Sequence, residues 1–496
     1  MKKLNSIIFS CLTVFGLPAS ASKQRQEQLK PAPPVAIESL LNQYQIPSEA
    51  LSFSFIELSD QQEIKKIQFR ETATHIPASI IKTVTVVKAL EQMGEDYTIP
   101  TELFYRGNIQ NNILNGDLII KGHGDPFLTF AQLQNFVTAL RAQGIQKVNG
   151  NFYYDLSFYP TFTKISDIGL GDQSYNPAVA PLNLEFNQFR VFREASNIWK
   201  PLPQLEGLTP SVSQDKFIPG KKFKIQKAEK NKWQVSRHTS YQQVESLPIR
   251  NPALFLAESL QFVANKSGLK LPSPQELEKN QKNNNRTLVL SHQSKPLRDL
   301  AQATMEFSNN LFAETLLIHW YISRNNSPPQ GLQIAANALL NQLRADYPKH
   351  QKLLDNWRLY NGSGLDTASQ ITAEGLSQLV AKWSSKQFGQ SSFASFLSIS
   401  GATGWMARRL NGPDYAYKVW AKTGSLDYVV NLTGLLYTNS NNAYAFTLLI
   451  QDLENRKLLD HAPPEQAQRV RNNARAWNQK AQNLADDILK HIISTN

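Results

Sequence analysis

The sequence predicts a mixed α/β protein with more than one domain, and three observations support this prediction. The chain has 496 residues, which is more than one hydrophobic core usually supports. An alternating stretch typical of a β-strand at 52–58 is followed by an apolar helical pattern at 81–93. Near the other end, the stretches 417–421, 431–437 and 443–451 have the pattern of consecutive antiparallel strands. With 41% hydrophobic and 10% aromatic residues, the composition is that of a packed globular protein.

The first residues have the pattern of a secretory signal peptide at 1–21. Lys2 and Lys3 precede an apolar stretch, which a small-residue cleavage site ending at Ala21 follows. Cleavage removes Cys11, the only cysteine, so we expect a mature protein without disulfides or thiol ligands. A lipoprotein with Cys11 lipidated is the alternative. We expect an exported, periplasmic or extracytoplasmic protein whose mature chain has no transmembrane helix.

The formal net charge of +12 bears on the partners of the chain. In an exported protein, the anionic polymers of the cell envelope fit this charge better than nucleic acid, and we expect no nucleic-acid partner. A surface charge that only keeps the protein soluble explains the basic composition equally well. The oligomeric state cannot be read from the sequence.

The middle and the end of the chain differ in pattern. A proline-rich stretch at 30–36 leads into folded sequence, and repeated strand and turn patterns fill 95–285. Helical patterns return at 296–321 and 332–343. The last segment is predicted to be an amphipathic helix that packs on a sheet, with a membrane surface as the alternative. Its apolar stripe consists of Val470, Ala474, Trp477, Ala481, Leu484, Ile488 and Ile492.

Three short motifs stand in order along the chain: Ser79-Ile80-Ile81-Lys82, Ser308-Asn309-Asn310 and Lys422-Thr423-Gly424. The spacing of the first motif places Lys82 on the same helical face as Ser79, one turn further on. Because Ser79 opens an apolar helix, backbone N–H groups and the positive end of the helix dipole lie close to it. The third motif ends a predicted strand, whose edge can bind an extended peptide.

Each motif also has an ordinary structural explanation. Ser79 could be a helix N-cap, Ser308 and Asn310 could cap the next helix, and Lys422 could end a polar strand. Chance matches occur elsewhere, such as Ser213 with Lys216. All three motifs in this order and with suitable flanking sequence nevertheless predict an active site. The sequence contains no G-x-S-x-G elbow, H-E-x-x-H zinc motif, P-loop or dinucleotide fingerprint.

The motif set is typical of penicillin-binding proteins and class A β-lactamases. Further segments extend the likeness over nearly all of the mature chain, and the sequence resembles the class C low-molecular-mass penicillin-binding proteins, the D-alanyl-D-alanine carboxypeptidase/endopeptidases. These segments are 76–79, 124–126, 175–177, 307–314, 361–365 and 421–426. The second motif departs from the family at Asn309, where Asp is usual. The Gly-Ser-Gly-Leu segment departs from it on both sides, with Asn361 before it in place of Asp and Asp366-Thr367 after it in place of Ser-Arg.

The resemblance implies a β-lactamase/transpeptidase-like domain with helices around a five-stranded antiparallel sheet. That domain would be discontinuous, formed by 37–94 and 286–496. The long interval between Ser79 and Ser308 would hold a mostly β insert at 95–285.

The resemblance also implies the chemistry. Ser79 would attack the carbonyl of the penultimate D-Ala of a peptidoglycan stem peptide, and Lys82 would accept the serine proton. Ser308 would pass the proton to the leaving amine, and Asn310 would hold the substrate amide. The remaining expected site residues bind the terminal carboxylate or the oxyanion: Lys422, Thr423, Gly424 and Ser425. The expected partners are stem peptides ending in D-Ala-D-Ala and β-lactam antibiotics, and no metal or organic cofactor is expected.

Several alternatives stay open. A β-lactamase is disfavoured by the long insert, and an idle envelope-binding scaffold is disfavoured because every polar catalytic position is filled. Which of carboxypeptidase and endopeptidase activity dominates stays undecided. Asp155 resembles a family residue near the substrate cleft and could bind a free amino group on the stem peptide; a turn-forming Asp is the equal alternative.

Overall fold

The computed structural model describes residues 35–59, 65–167, 173–193, 199–202, 211–215, 223–227, 231–236, 244–278, 285–461 and 464–496. The predicted signal peptide with Cys11 and most of the proline-rich stretch lie outside the described residues. Within the part of the chain that the structure describes, no helix combines the length and the apolar character that crossing a membrane requires.

The α-helices are, in chain order, α1 (Val35–Tyr44), α2 (Lys82–Met93), α3 (Phe130–Ala142), α4 (Pro252–Lys266), α5 (Leu297–Phe307), α6 (Asn310–Asn325), α7 (Leu332–Asp346), α8 (Gln351–Leu354), α9 (Ala373–Trp383), α10 (Leu453–His461) and α11 (Pro464–Thr495).

The strands are β1 (Leu51–Glu57), β2 (Lys66–Phe69), β3 (Thr74–His75), β4 (Pro100–Gln110), β5 (Ile113–Gly122), β6 (Lys147–Val148), β7 (Phe152–Asp155), β8 (Gln188–Arg193), β9 (Trp199–Leu202), β10 (Ser211–Asp215), β11 (Phe223–Lys227), β12 (Lys232–Ser236), β13 (Val244–Pro248), β14 (Pro274–Glu276), β15 (Thr287–Gln293), β16 (Ile371–Thr372), β17 (Gln387–Phe388), β18 (Ser391–Ser392), β19 (Ser398–Ile399), β20 (Val419–Leu426), β21 (Val429–Tyr437) and β22 (Ala443–Gln451).

The first sheet has the strand order β19–β20–β21–β22–β1–β2, and every neighbouring pair is antiparallel. It therefore joins the beginning of the described chain to its end. The resemblance implied five strands; the sixth is the two-residue edge strand β19, which the sequence pattern does not reveal because it is so short. Strands β21 and β22 are buried along almost their whole length, as expected for strands covered on both faces.

Helices cover both faces of this sheet. One core joins α1 and α11 to the sheet through residues such as Leu41, Phe446 and Ile488. The apolar stripe of α11 is thus buried against the sheet, which confirms the sheet-packing prediction for this helix. The other core joins α2, α5, α6, α7 and α9 to the opposite face and contains Val84 and Trp383. Helix α2 is buried on all sides through its first two turns.

The second sheet lies in the predicted insert and has the order β14–β7–β5–β4–β15, with β6 paired to β5. Helices α3 and α4 share its core with Phe136, Phe152 and Leu256. The sequence analysis predicted neither helix. Strand β15 pairs with β4, so this sheet extends past residue 286, where the catalytic part of the chain is predicted to resume. Two three-stranded sheets, β10–β12–β11 and β13–β8–β9, complete this mostly β region.

The helical pattern predicted at 296–321 corresponds to two helices in the structure, α5 and α6. Ser308 adopts left-handed backbone angles (φ 60°, ψ 31°) and ends α5 at Phe307. Asn309 then caps α6 with its side-chain oxygen, which accepts a hydrogen bond from the N–H of Phe312 at 3.2 Å. The break places the second motif at a corner between two helices.

Candidate active site

Ser79 lies in a short 3-10 turn, Ala78–Ile81, that leads directly into α2. Ala78 has a positive φ of 46°, which is uncommon for a residue with a side chain. Two glycines allow other segments to come close to this turn. A Cβ atom on Gly364 would lie 1.9 Å from the carbonyl oxygen of Ala78, and one on Gly424 would lie 3.0 Å from the backbone nitrogen of Ile80. Segments 361–365 and 421–426 are thus packed against the serine turn.

Two buried amide side chains hold the backbone that precedes Ser79. The Asn431 Nδ2 group on β21 donates to the carbonyl oxygens of Ile76 at 2.8 Å and Pro77 at 2.9 Å. The N–H of Ile76 donates to Gln451 Oε1 at 3.0 Å. The sequence analysis did not identify either residue. A polar residue within an otherwise apolar central strand is the signal that could have revealed them.

The ammonium-bearing end of Lys82 is buried and lies among three oxygen atoms. Its Nζ atom is 2.7 Å from Ser79 Oγ, 2.7 Å from Asn310 Oδ1 and 2.8 Å from the carbonyl oxygen of Ser363. Burial and the nearby charge of Lys422 hold the pKa of Lys82 well below its usual value, against the opposing effect of Glu314. Both effects favour the neutral amine form of this lysine.

Asn310, at the start of α6, joins Lys82 to the inserted region. Its Oδ1 atom accepts from Lys82, and its Nδ2 group donates to the carbonyl oxygen of Tyr175 at 2.7 Å. Ser308 lies two residues earlier, at the corner between α5 and α6, where it is half-buried. The predicted residues Ser79, Lys82 and Asn310 are therefore in direct contact, and Ser308 lies on the same corner as Asn310.

Glu314 and Ser363 belong to this cluster, although the sequence analysis gave them no role. The buried Glu314 carboxylate accepts from the N–H groups of Gly362 at 3.0 Å and Ser363 at 2.8 Å. Burial raises the pKa of Glu314, while these hydrogen bonds and the charge of Lys82 act in the opposite direction. Glu314 thereby fixes the turn whose Ser363 carbonyl oxygen contacts Lys82. An acidic residue in a helix that is otherwise apolar was the available signal.

The third motif lies on β20. Lys422 is fully buried, its Nζ atom donates to the carbonyl oxygen of Thr423 at 2.9 Å, and burial lowers its pKa to about 7. Strand β20 pairs with β21 along its whole length. On its other side, among the described strands, β20 pairs with β19 only at Trp420 and Ala421. The strand edge from Lys422 to Leu426 lies beside the Ser79 turn, as the close approach of Gly424 to Ile80 shows. Ser425 is exposed on this edge.

Asp155 is held by other residues of the insert. Its carboxylate accepts from Arg286 at 3.1 Å and from the N–H of Ser157 at 3.0 Å, and its side chain is almost completely buried. Burial acts to raise the pKa of Asp155, but the hydrogen bonds from Ser157 and Arg286 outweigh it, so the pKa lies below the usual value. A substrate amino group that binds Asp155 would have to compete with this guanidinium group.

The part of the chain that the structure describes contains no group of three His, Cys, Asp or Glu residues placed to hold a metal ion. The chemistry that the geometry around Ser79 supports is nucleophilic. It combines a half-buried serine hydroxyl, a buried lysine amine in contact with it, and a free strand edge beside both.

Comparison with known proteins agrees over most of the chain. A profile of the D-Ala-D-Ala carboxypeptidase 3 (S13) family matches residues 35–469. The chain is 27% identical over 403 residues to D-alanyl-D-alanine carboxypeptidase DacB of Haemophilus influenzae. The aligned residues make up 76% of this chain and 80% of that protein. The crystal structure of penicillin binding protein 4 (dacB) from Haemophilus influenzae covers 90% of this chain and 99% of its own, with a TM-score of 0.70 at 24% identity. A second structure of that protein, in complex with a β-lactam, gives a TM-score of 0.68 at 24% identity over the same shares. At these identities the structures show a common fold.

Proposed function

The chain belongs to the D-Ala-D-Ala carboxypeptidase 3 (S13) family, and we propose that it is a serine D-Ala-D-Ala peptidase that acts on peptidoglycan stem peptides through an acyl-enzyme on Ser79. The contact between Ser79 Oγ and Lys82 Nζ at 2.7 Å is the observation that carries the proposal. The same acyl-transfer step serves the removal of a terminal D-Ala and the cleavage of a D-Ala cross-link.

Lys82 acts as the proton acceptor in this proposal. A neutral amine has two N–H groups and one lone pair. Two neighbours of Nζ, the amide oxygen of Asn310 and the carbonyl oxygen of Ser363, can only accept hydrogen bonds. These two oxygens accept hydrogen bonds from the two N–H groups of the neutral amine, so its lone pair is left to accept the Ser79 hydroxyl proton. The low pKa of Lys82 makes this neutral form available.

The substrate binds along the free edge of β20 as an added strand. Lys422 and Thr423 bind the terminal carboxylate, and the charged form of Lys422 favours this contact. The backbone N–H groups of Ser79 and Ser425 stabilise the oxyanion; a donor of this kind typically contributes about 10²–10³ in rate. Gly424 permits the close approach of the strand to the serine turn that this geometry needs.

The reaction then proceeds in two steps. Ser79 Oγ forms an ester bond with the substrate carbonyl carbon while the C–N bond breaks. The proton taken up by Lys82 reaches the leaving amine through Ser308, and Asn310 holds the substrate amide. Water then hydrolyses the ester. Both oxygens of the buried Glu314 carboxylate are engaged by backbone N–H groups, so this carboxylate is not positioned as a dedicated base for fast deacylation.

This function requires the protein outside the cytoplasm, where peptidoglycan lies. The predicted signal peptide at 1–21 and the basic composition support an exported, periplasmic or extracytoplasmic location. We propose peptidoglycan stem peptides ending in D-Ala-D-Ala and β-lactam antibiotics as its partners. The β-lactam complex of the structurally similar Haemophilus influenzae protein supports the second of these.

Intact-protein mass spectrometry after exposure to a penicillin tests the proposal. We expect a long-lived adduct of one drug per protein, with the modified peptide containing Ser79 and no adduct in Ser79→Ala. Rapid release of hydrolysed drug would favour a β-lactamase instead. A folded protein without any adduct would favour an idle scaffold.

A further inference from the structure

Three aromatic side chains project into solvent, and one of them, Phe307, directly precedes the second motif. Phe307 is 64% exposed, Trp405 63% and Tyr417 66%, which makes them the most exposed large apolar side chains among the described residues. Single exposed apolar residues are common on protein surfaces. A group of them on neighbouring segments is the usual mark of a binding surface.

The three residues lie on segments that touch one another. Trp405 belongs to a 3-10 turn, Gly404–Met406, that is packed against the end of α5. A Cβ atom on Gly404 would lie 3.0 Å from the carbonyl oxygen of Glu306, the residue before Phe307. The N–H of Tyr417 donates to the carbonyl oxygen of Ser400 at 2.9 Å, directly after β19. We call Phe307, Trp405 and Tyr417 the aromatic edge.

The backbone of the aromatic edge is held in uncommon conformations. Tyr417 has a φ of 65°, and Ser308, which follows Phe307, has a φ of 60°. Left-handed angles at residues other than glycine persist only where the surrounding structure enforces them, and they concentrate at functional sites.

The proposed substrate orientation leads toward the aromatic edge. In the proposed orientation the reacting carbonyl lies at Ser425, and the terminal carboxylate lies at Thr423 and Lys422. The leaving group of the substrate therefore points toward the start of β20. Tyr417 and β19 lie at that end of the strand. A single D-Ala leaving group ends at its carboxylate. In a cross-linked substrate the leaving amine belongs to a second stem peptide, which continues in this direction.

We propose that the aromatic edge binds the second stem peptide of a cross-linked substrate and so determines specificity for endopeptidase cleavage. The inference rests on the proposed acyl-enzyme function and adds a residue-level account of which substrate is preferred. Arg408 is exposed three residues after Trp405 and supplies positive charge for the free carboxylates of that peptide. The aromatic edge binds the leaving group and takes no part in the bond changes at Ser79.

Steady-state kinetics on two sugar-free substrates test the proposal: a pentapeptide ending in D-Ala-D-Ala, and a peptide dimer joined through a D-Ala to side-chain amine bond. For the double variant Phe307→Ala/Trp405→Ala, we expect KM for the dimer to rise at least about tenfold, which corresponds to a loss of about 1.4 kcal/mol of binding free energy. We expect kcat/KM for the pentapeptide and the rate of penicillin acylation to stay within about twofold, because neither substituted residue contacts the reacting atoms in the proposed geometry.

Two control variants accompany this measurement. Trp405→Phe keeps an aromatic ring and should retain dimer cleavage. Leu458→Ala removes an exposed apolar side chain from α10 and should change neither substrate.

An equal loss on both substrates, or no loss on the dimer, would overturn the inference. A loss seen only when sugars are attached to the dimer would overturn it in favour of glycan binding. If the wild-type protein is acylated by penicillin but does not cleave the dimer, the inference fails and the proposed function stands. If it forms no acyl-enzyme at all, the proposed function itself fails.

Discussion

Replacing Lys82 by methionine removes the proton acceptor and keeps most of the side-chain volume. We expect Lys82→Met to fold, because the buried position accepts an apolar side chain, and to lose acylation. The substitution leaves Ser79 Oγ and the oxygens of Asn310 and Ser363 without their lysine partner, so some loss of stability is also expected.

The size of the effect follows from the state of the lysine. With its usual pKa of 10.5, only roughly one molecule in 3,000 would hold a neutral amine at pH 7, since each pKa unit is a factor of ten. Burial and Lys422 lower that pKa and so raise the neutral fraction. General base catalysis typically contributes about 10²–10⁴ in rate. We therefore expect acylation to slow by about 10³, or about 4 kcal/mol of transition-state stabilisation.

The assay is the rate at which the penicillin adduct appears in the mass spectrum, with the thermal melting curve recorded for each variant. Lys88→Met is the matched control, because Lys88 is a second buried lysine on α2 whose ion pairs with Glu91 and Asp346 raise its pKa against the effect of burial. This control should lose stability, on the order of 1–3 kcal/mol, and keep acylation per folded molecule. Acylation of Lys82→Met at a rate near that of the wild-type protein would refute the reasoning.

Three further predictions concern the other site residues. Acylation at low substrate concentration should rise with pH as Lys82 loses its proton. It should fall above about pH 7, because Lys422, whose pKa is about 7, then loses the charge that binds the carboxylate. The pH profile of kcat/KM measures both the rise and the fall. Gly424→Ala should slow acylation by about 10²-fold, because the new Cβ atom would lie 3.0 Å from the Ile80 nitrogen and displace the strand edge from the serine. Asp155→Ala should erase any preference for stem peptides with a free amino group, measured as a kcat/KM ratio between substrates with and without that group.

Each of these predictions has a result that contradicts it. A kcat/KM that keeps rising well above pH 7 would mean that the charge on Lys422 does not bind the substrate. Gly331→Ala is the control for Gly424→Ala, since a Cβ atom on Gly331 would have no neighbour within 4 Å; equal rates in both variants would dismiss the role of close packing. An unchanged substrate ratio in Asp155→Ala would leave Asp155 as the structural partner of Arg286.

The sequence predicts the parts of this site that are encoded locally. The helix at 81–93 and the strand at 443–451 are confirmed to within one residue, because an apolar period and clear ends mark both. Spacing alone placed Lys82 beside Ser79, since three residues make about one helical turn. The contact between Lys82 and Asn310 follows from no local pattern, and the family resemblance implied only that Asn310 holds the substrate amide.

Other features depend on contacts between distant segments and could not be derived from periodicity. The left-handed backbone of Ser308 that ends α5 lies inside a continuous apolar pattern, and only the possible capping residues Ser308 and Asn310 indicated that a new helix begins there. Asn431 stands out as a polar residue in an apolar strand, but only the folded sheet brings it to its partners, the carbonyl oxygens of Ile76 and Pro77. Helices α3 and α4 lie between strands whose turn signals dominated the pattern of that region.

The pairing of β1 with β22 has a consequence for the order in which the protein folds. Leu51 lies opposite Ile450, so the first sheet closes a loop of roughly 400 residues, at an entropic cost of roughly 5 kcal/mol. Non-local pairing of this kind is slow, and it cannot begin before the last strands have been synthesised. The second sheet with its own core can form earlier, from residues that are closer in the chain. Strand β22 joins β1 to β21 and carries Gln451, which binds the backbone before Ser79. We therefore expect a chain that stops before β22 to retain folded structure in the insert and to lack a competent Ser79.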